Sequence, residues 1–555
     1  SLDELPLTAN GKLDVKALPA PVYTGGGNRP PRTGPERTLC ALFAELLDAA
    51  DVGADDDFFA LGGDSISSVT LVGRARERGL VLTPRQVFTS RTPEALALVA
   101  TIEDTPEQAR PPVGPLELVP LDLAALGSLR ERFADLTDVW PLSPLQSGLY
   151  FQAVFDDSGA LDVYTGQTTF ELDHRVDTAR LRGATQLLQL RHPTLRCAFV
   201  DNGDGTVHQV VRASADDPVT EHDLAGLGPA EAAARTEDIA HADRTRRFDL
   251  TAPPLFRMSL LRLPGGTDRL VVTYHLLAWD GWSHSTLFDQ LFTLYAGGSA
   301  QALPPAAGYP EYLRWLAERD GDAARAAWAG ALAGIEEPTL VGPALCVGTT
   351  VPAAIPARTT ITVPAAGSEA VRAGARRCGV TLNTVLNAAW ALVLGGLTGR
   401  DEVVFGTTVA GRPPELPGAA HVVGQFLNTV PTRVRTDPAE AVGAFLRRLQ
   451  DERLALGEHE FLGLGDIQRA AGQPVLFDTL FVLQNFADIP QRALDAAGVV
   501  GRRHVDATHY PLVMIATPGD ELGLTLEHHV AVGDAEASAL LRRTADVAAT
   551  LVADP

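Results

Sequence analysis

Apolar residues first recur at helical spacing after a Pro- and Gly-rich opening. Across residues 36–50, Leu39, Leu42, Phe43, Leu46 and Leu47 fall on one stripe and predict an amphipathic helix. An acidic loop with Asp51, Asp55, Asp56 and Asp57 follows. A second helix is predicted from Ser65 onward, with Ile66, Val69 and Val72 inward. A last one is predicted over residues 92–104, where Thr92-Pro93-Glu94 is a start signal. These elements make a helical bundle of about 75 residues. From Trp140 the pattern alternates. Residues 166–172 and 270–275 are strand-like, rich in Val, Thr and Tyr. Residues 179–191, 285–296 and 381–394 are helix-like. This mixed α/β region of about 415 residues is large enough to predict two lobes. The longest uncharged run, 378–399, contains Asn383, Asn387 and several glycines, so it reads as a buried helix and not a membrane span.

The boundaries follow from composition. Residues 21–33, with Gly25-Gly26-Gly27 and Pro30-Pro31, read as a linker, and the bundle occupies 34–105. Residues 106–137, with Pro111, Pro112, Pro115 and Pro120, read as a second linker. The two lobes are placed at 138–310 and 311–555. At 555 residues the chain is too long for one core. Its net charge of −23 argues against nucleic-acid partners, which need cationic surface, and against docking on anionic lipid. Cys40, Cys197, Cys346 and Cys378 are scattered, with no metal-ligand spacing and no disulfide framework. Scattered thiols suit a reducing compartment. The acidic opening from Ser1 does not have the make-up of a signal peptide. A cytoplasmic location without membrane contact is expected.

The first candidate site is the segment Asp57-Phe58-Phe59-Ala60-Leu61-Gly62-Gly63-Asp64-Ser65-Ile66. Two glycines allow a tight turn, and Ser65 then stands at a helix start, where unpaired N–H groups favour an anion. A lone Ser there would be read as an N-cap; a phosphodiester on its hydroxyl would suit the same place. The whole string resembles the signature of peptidyl carrier proteins of nonribosomal peptide synthetases, over residues 34–105. The resemblance implies a four-helix bundle with 4′-phosphopantetheine on Ser65, Asp64 beside it, and an aminoacyl or peptidyl thioester on the arm. It also implies a phosphopantetheinyl transferase as partner. Leu5-Pro6-Leu7-Thr8-Ala9-Asn10-Gly11-Lys12-Leu13-Asp14 looks like the final motif of an adenylation domain, so residues 1–20 are expected to be the tail of an upstream one.

The second candidate site is Thr273-Tyr274-His275-Leu276-Leu277-Ala278-Trp279-Asp280-Gly281-Trp282-Ser283. A His at a strand end can exchange a proton near neutrality. Asp280 would pair with an Arg to hold the loop, and Gly281 would let a substrate arm pass. Alone, a His beside apolar residues is more often structural. Flanking segments resemble the motifs of condensation domains over 138–555: Pro141-Leu142-Ser143-Pro144-Leu145-Gln146-Ser147-Gly148-Leu149, Arg191-His192-Pro193-Thr194-Leu195-Arg196 and Tyr309-Pro310-Glu311-Tyr312-Leu313-Arg314-Trp315. Phe405-Gly406-Thr407-Thr408-Val409-Ala410-Gly411-Arg412, Val423-Gly424-Gln425-Phe426-Leu427-Asn428-Thr429 and His509-Tyr510-Pro511-Leu512 continue the series. The resemblance implies a fold of two lobes, each like chloramphenicol acetyltransferase, with a tunnel between them. It implies amide bond formation between a donor thioester and the α-amine on a downstream acceptor carrier.

The family's third motif is His-His-x-x-x-Asp-Gly. His275, Asp280 and Gly281 match it and are the catalytic candidates, but Leu276 holds the position of the second His, to which the family's catalytic role is usually given. Leu cannot accept a proton, and loss of a general base would slow the step by about 10²–10⁴-fold. Three readings follow: a disabled domain, a domain working by orienting its two thioesters, or a one-residue shift that puts His275 in place. The shift would reverse the side-chain face of the strand. Against amide formation stands a docking platform that has lost catalysis, with Leu276 as its support. The Asp-rich third motif of cyclisation domains is absent, and an epimerase would use the second His. The form Pro144-Leu145-Gln146-Ser147-Gly148-Leu149 is closer to the subclass taking donors that end in a D-residue. No epimerisation domain lies between Ser65 and Trp140; a glycine donor would satisfy both.

Overall fold

The computed structural model describes residues 29–47, 49, 51–63, 65–102, 112–155, 162–202, 205–304, 308–342, 356–416, 418–485, 488–528 and 532–553. The expected adenylation tail at 1–20, most of the first linker, Asp64 and Cys346 lie outside the described residues. The chain divides into two compact units, Ser1–Ala109 and Arg110–Pro555.

The smaller unit has helices Gly34–Leu47, Ser65–Glu77, Pro84–Ser90 and Pro93–Val99. The predicted stripe is its core: Leu39, Leu42 and Phe43 are fully buried with Phe58, Leu71, Val87 and Leu96. Helix Pro84–Ser90 spans seven residues, too few for periodicity to announce. A capping box between Thr83 and Gln86 fixes its start, with Pro84 in the first turn. The helix expected over 92–104 ends at Val99. Thr92 caps it as predicted, but Ala100 turns extended, and Thr101–Ile102 pairs antiparallel with Leu80–Val81. A strand pairing has won where the sequence offered continued helix.

In the larger unit, the first lobe carries a five-stranded sheet in the order Val499–Val505, Thr165–Leu172, Asp268–His275, Phe256–Arg262, Val219–Asp223. Helices Thr178–Arg191 and Gly281–Tyr295 bury Leu181, Leu188, Leu287 and Leu291 in the same core as this sheet's Phe170 and Val272. The second lobe has six strands in the order Ala357–Val363, Leu522–His528, Leu512–Thr517, Thr479–Leu483, Glu402–Val409, Asn428–Arg435. Its core includes Leu386, Trp390 and Leu394 from helix Leu382–Thr398 and Leu541 from helix Asp534–Ala553. The uncharged run 378–399 is therefore a core helix; Gly379, at φ +73°, ends the preceding helix, and Thr381 caps the new one. Among the described residues, no single helix is long and apolar enough to cross a membrane.

Two boundaries change. From Val113 the second expected linker is part of the larger unit. Asp122 caps helix Leu123–Arg132, and Val119, Leu129 and Phe133 are buried with Val139, Ala198 and Val210. Its prolines lie between apolar residues that find the face of a small sheet formed by Leu136–Pro141, Val207–Arg212 and Cys197–Asp201. The lobe boundary at 310/311 cuts helix Tyr309–Ala317, whose Tyr309, Tyr312 and Leu313 belong to the first lobe's core. Strand Val499–Val505 also returns to the first lobe.

Because the smaller unit has a core of its own, Phe58→Ala is expected to cost it about 3–5 kcal/mol. Calorimetry should show its transition lowered or lost while that of the larger unit stays in place.

Candidate functional site

In the smaller unit the motif's aromatics build the turn that leads to Ser65. Phe58 is fully buried, edge-on to Phe43 at 4.9 Å, and Phe59 stacks on Phe88 at 4.8 Å. Asp57 Oδ1 accepts from the N–H groups of Phe59 (2.8 Å) and Ala60 (3.0 Å). Gly63 N–H donates to the Phe58 carbonyl at 2.9 Å, and a Cβ at Gly63 would stand 2.4 Å from the Phe58 ring. Glycine is required there by contact. Ser65 then opens helix Ser65–Glu77, whose first turn carries no acidic residue, so the positive end of the helix fits a phosphodiester. When bound, 4′-phosphopantetheine supplies the thiol on which an acyl group is carried as a thioester.

In the larger unit, a cavity of about 3190 Å³ lies between the two lobes. Strand Asp268–His275 runs to its edge, paired with Thr165–Leu172 so that His275 faces Thr165. Leu276 follows, its N–H donating to the Tyr164 carbonyl at 2.9 Å. Leu276 lines the cavity. His275 does not: it is fully buried, its Nε2 lies 3.0 Å from Asp162 Oδ2, and its Nδ1 accepts from Leu277 N–H at 3.1 Å. The imidazole proton is therefore on Nε2, donated to Asp162. Burial would raise the Asp162 carboxyl, but the hydrogen bonds from His275 and from the Tyr164 N–H outweigh it and hold it below the usual range. The expectation of a catalytic His275 is thus corrected to a structural one. The one-residue shift is not present, because alternation along the strand sends His275 inward and Leu276 outward.

Asp280 has no free carboxylate for chemistry either; it is the N-cap of helix Gly281–Tyr295, accepting from Ser283 N–H at 2.7 Å. The Arg expected to hold it is Arg412, whose Nη2 lies 3.0 and 3.3 Å from the two carboxylate oxygens. Both side chains are buried. Phe426 N–H adds a third bond to Asp280 at 3.1 Å, and Asp280 N–H donates to the Gly424 carbonyl at 3.1 Å. Arg412 also donates to the Val422 carbonyl (2.9 Å) and Ser283 Oγ (2.9 Å), and stands over the Phe426 ring at 4.0 Å. Gly411 makes this approach possible. Its φ is +61°, and a Cβ there would fall 1.8 Å from the Phe426 carbonyl oxygen. Gly281 opens the helix and lines the cavity, where its small size was expected to serve.

Other motif residues converge on the backbone of this loop. Gln146 Nε2 donates to the Leu277 carbonyl (2.9 Å), and Gln425 Nε2 to the Leu276 carbonyl (2.8 Å). Tyr309 Oη donates to the Gln425 carbonyl at 2.7 Å. His192 is buried against Gln290 of helix Gly281–Tyr295 at 2.8 Å, and burial pushes it down to about 4. His284 lies 3.1 Å from the Thr168 hydroxyl, which also meets His504 Nδ1 at 2.9 Å. Farther along the cavity wall, Arg358 bridges Asp506 and Glu527. Burial and the Asp506 charge raise the Glu527 carboxyl, whereas His504 and Arg358 overcome burial to lower Asp506. Sequence reasoning missed Asp162 and Tyr164, which carry no motif and are brought to His275 and Leu276 only by the fold, from the turn before strand Thr165–Leu172.

Comparison with known proteins matches the condensation domain family over residues 137–553 and the phosphopantetheine attachment site over 37–99. A linear gramicidin synthase polypeptide of Brevibacillus parabrevis is 32% identical over 416 residues, 73% of this chain and 5% of that protein. AMB antimetabolite synthetase AmbE of Pseudomonas aeruginosa is 32% identical over 516 residues, 91% of this chain and 23% of its own length. The chain thus spans a small part of these relatives. Among solved structures, the first condensation domain of the calcium-dependent antibiotic synthetase aligns with TM-score 0.59 and 21% identity, over 75% of this chain and 97% of that one. The condensation domain from Monacolin K polyketide synthase MokA aligns with TM-score 0.61 and 18% identity, over 76% and 99%.

Arg412→Met leaves the Asp280 carboxylate buried without its cation and is expected to cost about 3–5 kcal/mol. In a double-mutant cycle, Asp280→Ala with Arg412→Met should cost less than the sum of the two single changes, read from denaturation midpoints.

Proposed function

This chain belongs to the condensation domain family, with a phosphopantetheine attachment domain ahead of it, and we propose that it forms an amide bond itself, Leu276 notwithstanding. The acceptor's α-amine attacks the donor thioester carbonyl; the C–N bond forms, the C–S bond breaks, and the donor thiol leaves. The observation that carries this reading is the intact frame around position 276. Asp280, Arg412, Gln146, Gln425 and Tyr309 are in place and bonded as a working cavity requires. Two thioesters aligned in such a cavity gain about 7–11 kcal/mol from proximity and orientation, which a missing base does not remove.

The partners that follow are a phosphopantetheinyl transferase for Ser65, an upstream adenylation domain, a downstream acceptor carrier, and aminoacyl or peptidyl thioesters. By the order of domains in such synthetases, a carrier delivers the donor to the condensation domain that follows it. A second reading, a docking platform without catalysis, is favoured by one observation: the side chain offered to the cavity at the loop's first position is Leu276.

Single-turnover condensation followed by intact mass spectrometry tests the choice. Ser65 should gain one phosphopantetheine arm, and Ser65→Ala none. With a loaded donor and an acceptor aminoacyl-carrier, product is expected from both the parent chain and Leu276→His. Product only after Leu276→His would make the parent a platform.

A further inference from the structure

The cavity beside Leu276 holds an imidazole that arrives from the other lobe. Just beyond the pairing of Thr165 with His275, the Leu276 N–H donates to the Tyr164 carbonyl at 2.9 Å, and both residues line the cavity. The Tyr164 hydroxyl lies 2.5 Å from Nδ1 of His509, in the segment that leads into strand Leu512–Thr517. His509 packs on the Tyr510 ring at 4.1 Å and has its surface open to the cavity. Among the described residues its Nε2 has no hydrogen-bond partner.

We propose that His509 Nε2, oriented by Tyr164 Oη, accepts the proton of the attacking α-amine, the task that Leu276 cannot perform. This rests on the condensation reading above. In the reacting state Nδ1–H donates to Tyr164 Oη, and the Nε2 lone pair faces the amine. As the amine nitrogen forms the C–N bond, its proton moves to Nε2. As the C–S bond breaks, the same proton passes to the sulfur, which leaves as a thiol. No oxidant, reductant or metal enters the balance. His509 is thus a catalytic residue and Tyr164 a positioning one.

The test uses the full chain with glycine loaded on Ser65 and a panel of proteinogenic aminoacyl thioesters of N-acetylcysteamine as acceptors, read as single-turnover rates. His509→Ala and His509→Gln are each expected to lose about 10²–10⁴-fold, with unfolding midpoints kept. Free imidazole, which the cavity is large enough to admit, should return about tenfold or more in His509→Ala and nothing in the parent. Tyr164→Phe should lose less than either. A parental rate in His509→Gln overturns the proposal, since Gln preserves the bond to Tyr164 but cannot take a proton. So does a loss in His509→Ala that imidazole does not relieve. No product from the parent with any acceptor overturns the condensation reading and this inference with it.

Discussion

The buried pair of Asp280 and Arg412 is the contact on which the larger unit's site depends. Removing two charges from water costs several kcal/mol per ion, and their attraction offsets this only where further hydrogen bonds complete the geometry. Here they do. Asp280 takes Arg412, Ser283 N–H and Phe426 N–H; Arg412 also reaches Ser283 Oγ and the Val422 carbonyl. The partners come from different lobes. Asp280 caps a first-lobe helix, while Arg412 sits in the connection between two strands of the second-lobe sheet. One ion pair therefore fixes both the loop after His275 and the crossing of the second lobe onto the first.

The remaining contacts of that loop go to its backbone. Gln146 holds the carbonyl of Leu277, and Gln425 that of Leu276. Neither bond depends on the side chain at position 276. A frame built this way presents whatever residue stands there to the cavity without losing its shape. Leu276 thus stands in a loop whose backbone contacts do not depend on its side chain. His275 belongs to the frame as well, since its two ring nitrogens are used by Asp162 and Leu277 N–H.

The lobes are joined a second time by strand Val499–Val505, which leaves the second lobe and pairs with Thr165–Leu172. Near this junction Arg358 holds Asp506 and Glu527, so the cavity has a charged wall as well as the apolar surface around Leu276. The smaller unit uses different physics: an aromatic pair and a close-packed glycine set the turn, and Ser65 stands at a helix start.

The sequence by itself determined what local chemistry can encode. The stripe of Leu39, Leu42 and Phe43, the cap at Thr92, the buried helix within 378–399 and the motif strings were legible because helix period, capping and short-range spacing are properties of neighbouring residues. The need of Asp280 for an arginine was legible too, since a buried carboxylate requires a cation. That the cation is Arg412 was decided by the tertiary structure, 132 residues away. So were the inward turn of His275, the pairing of Thr101–Ile102 in place of helix, the docking of Val119 and Phe133, and the meeting of Tyr164 with His509 across 345 residues. Strand register and the packing of one lobe on another leave no periodic mark in the chain, because the partners they join are set by the whole fold.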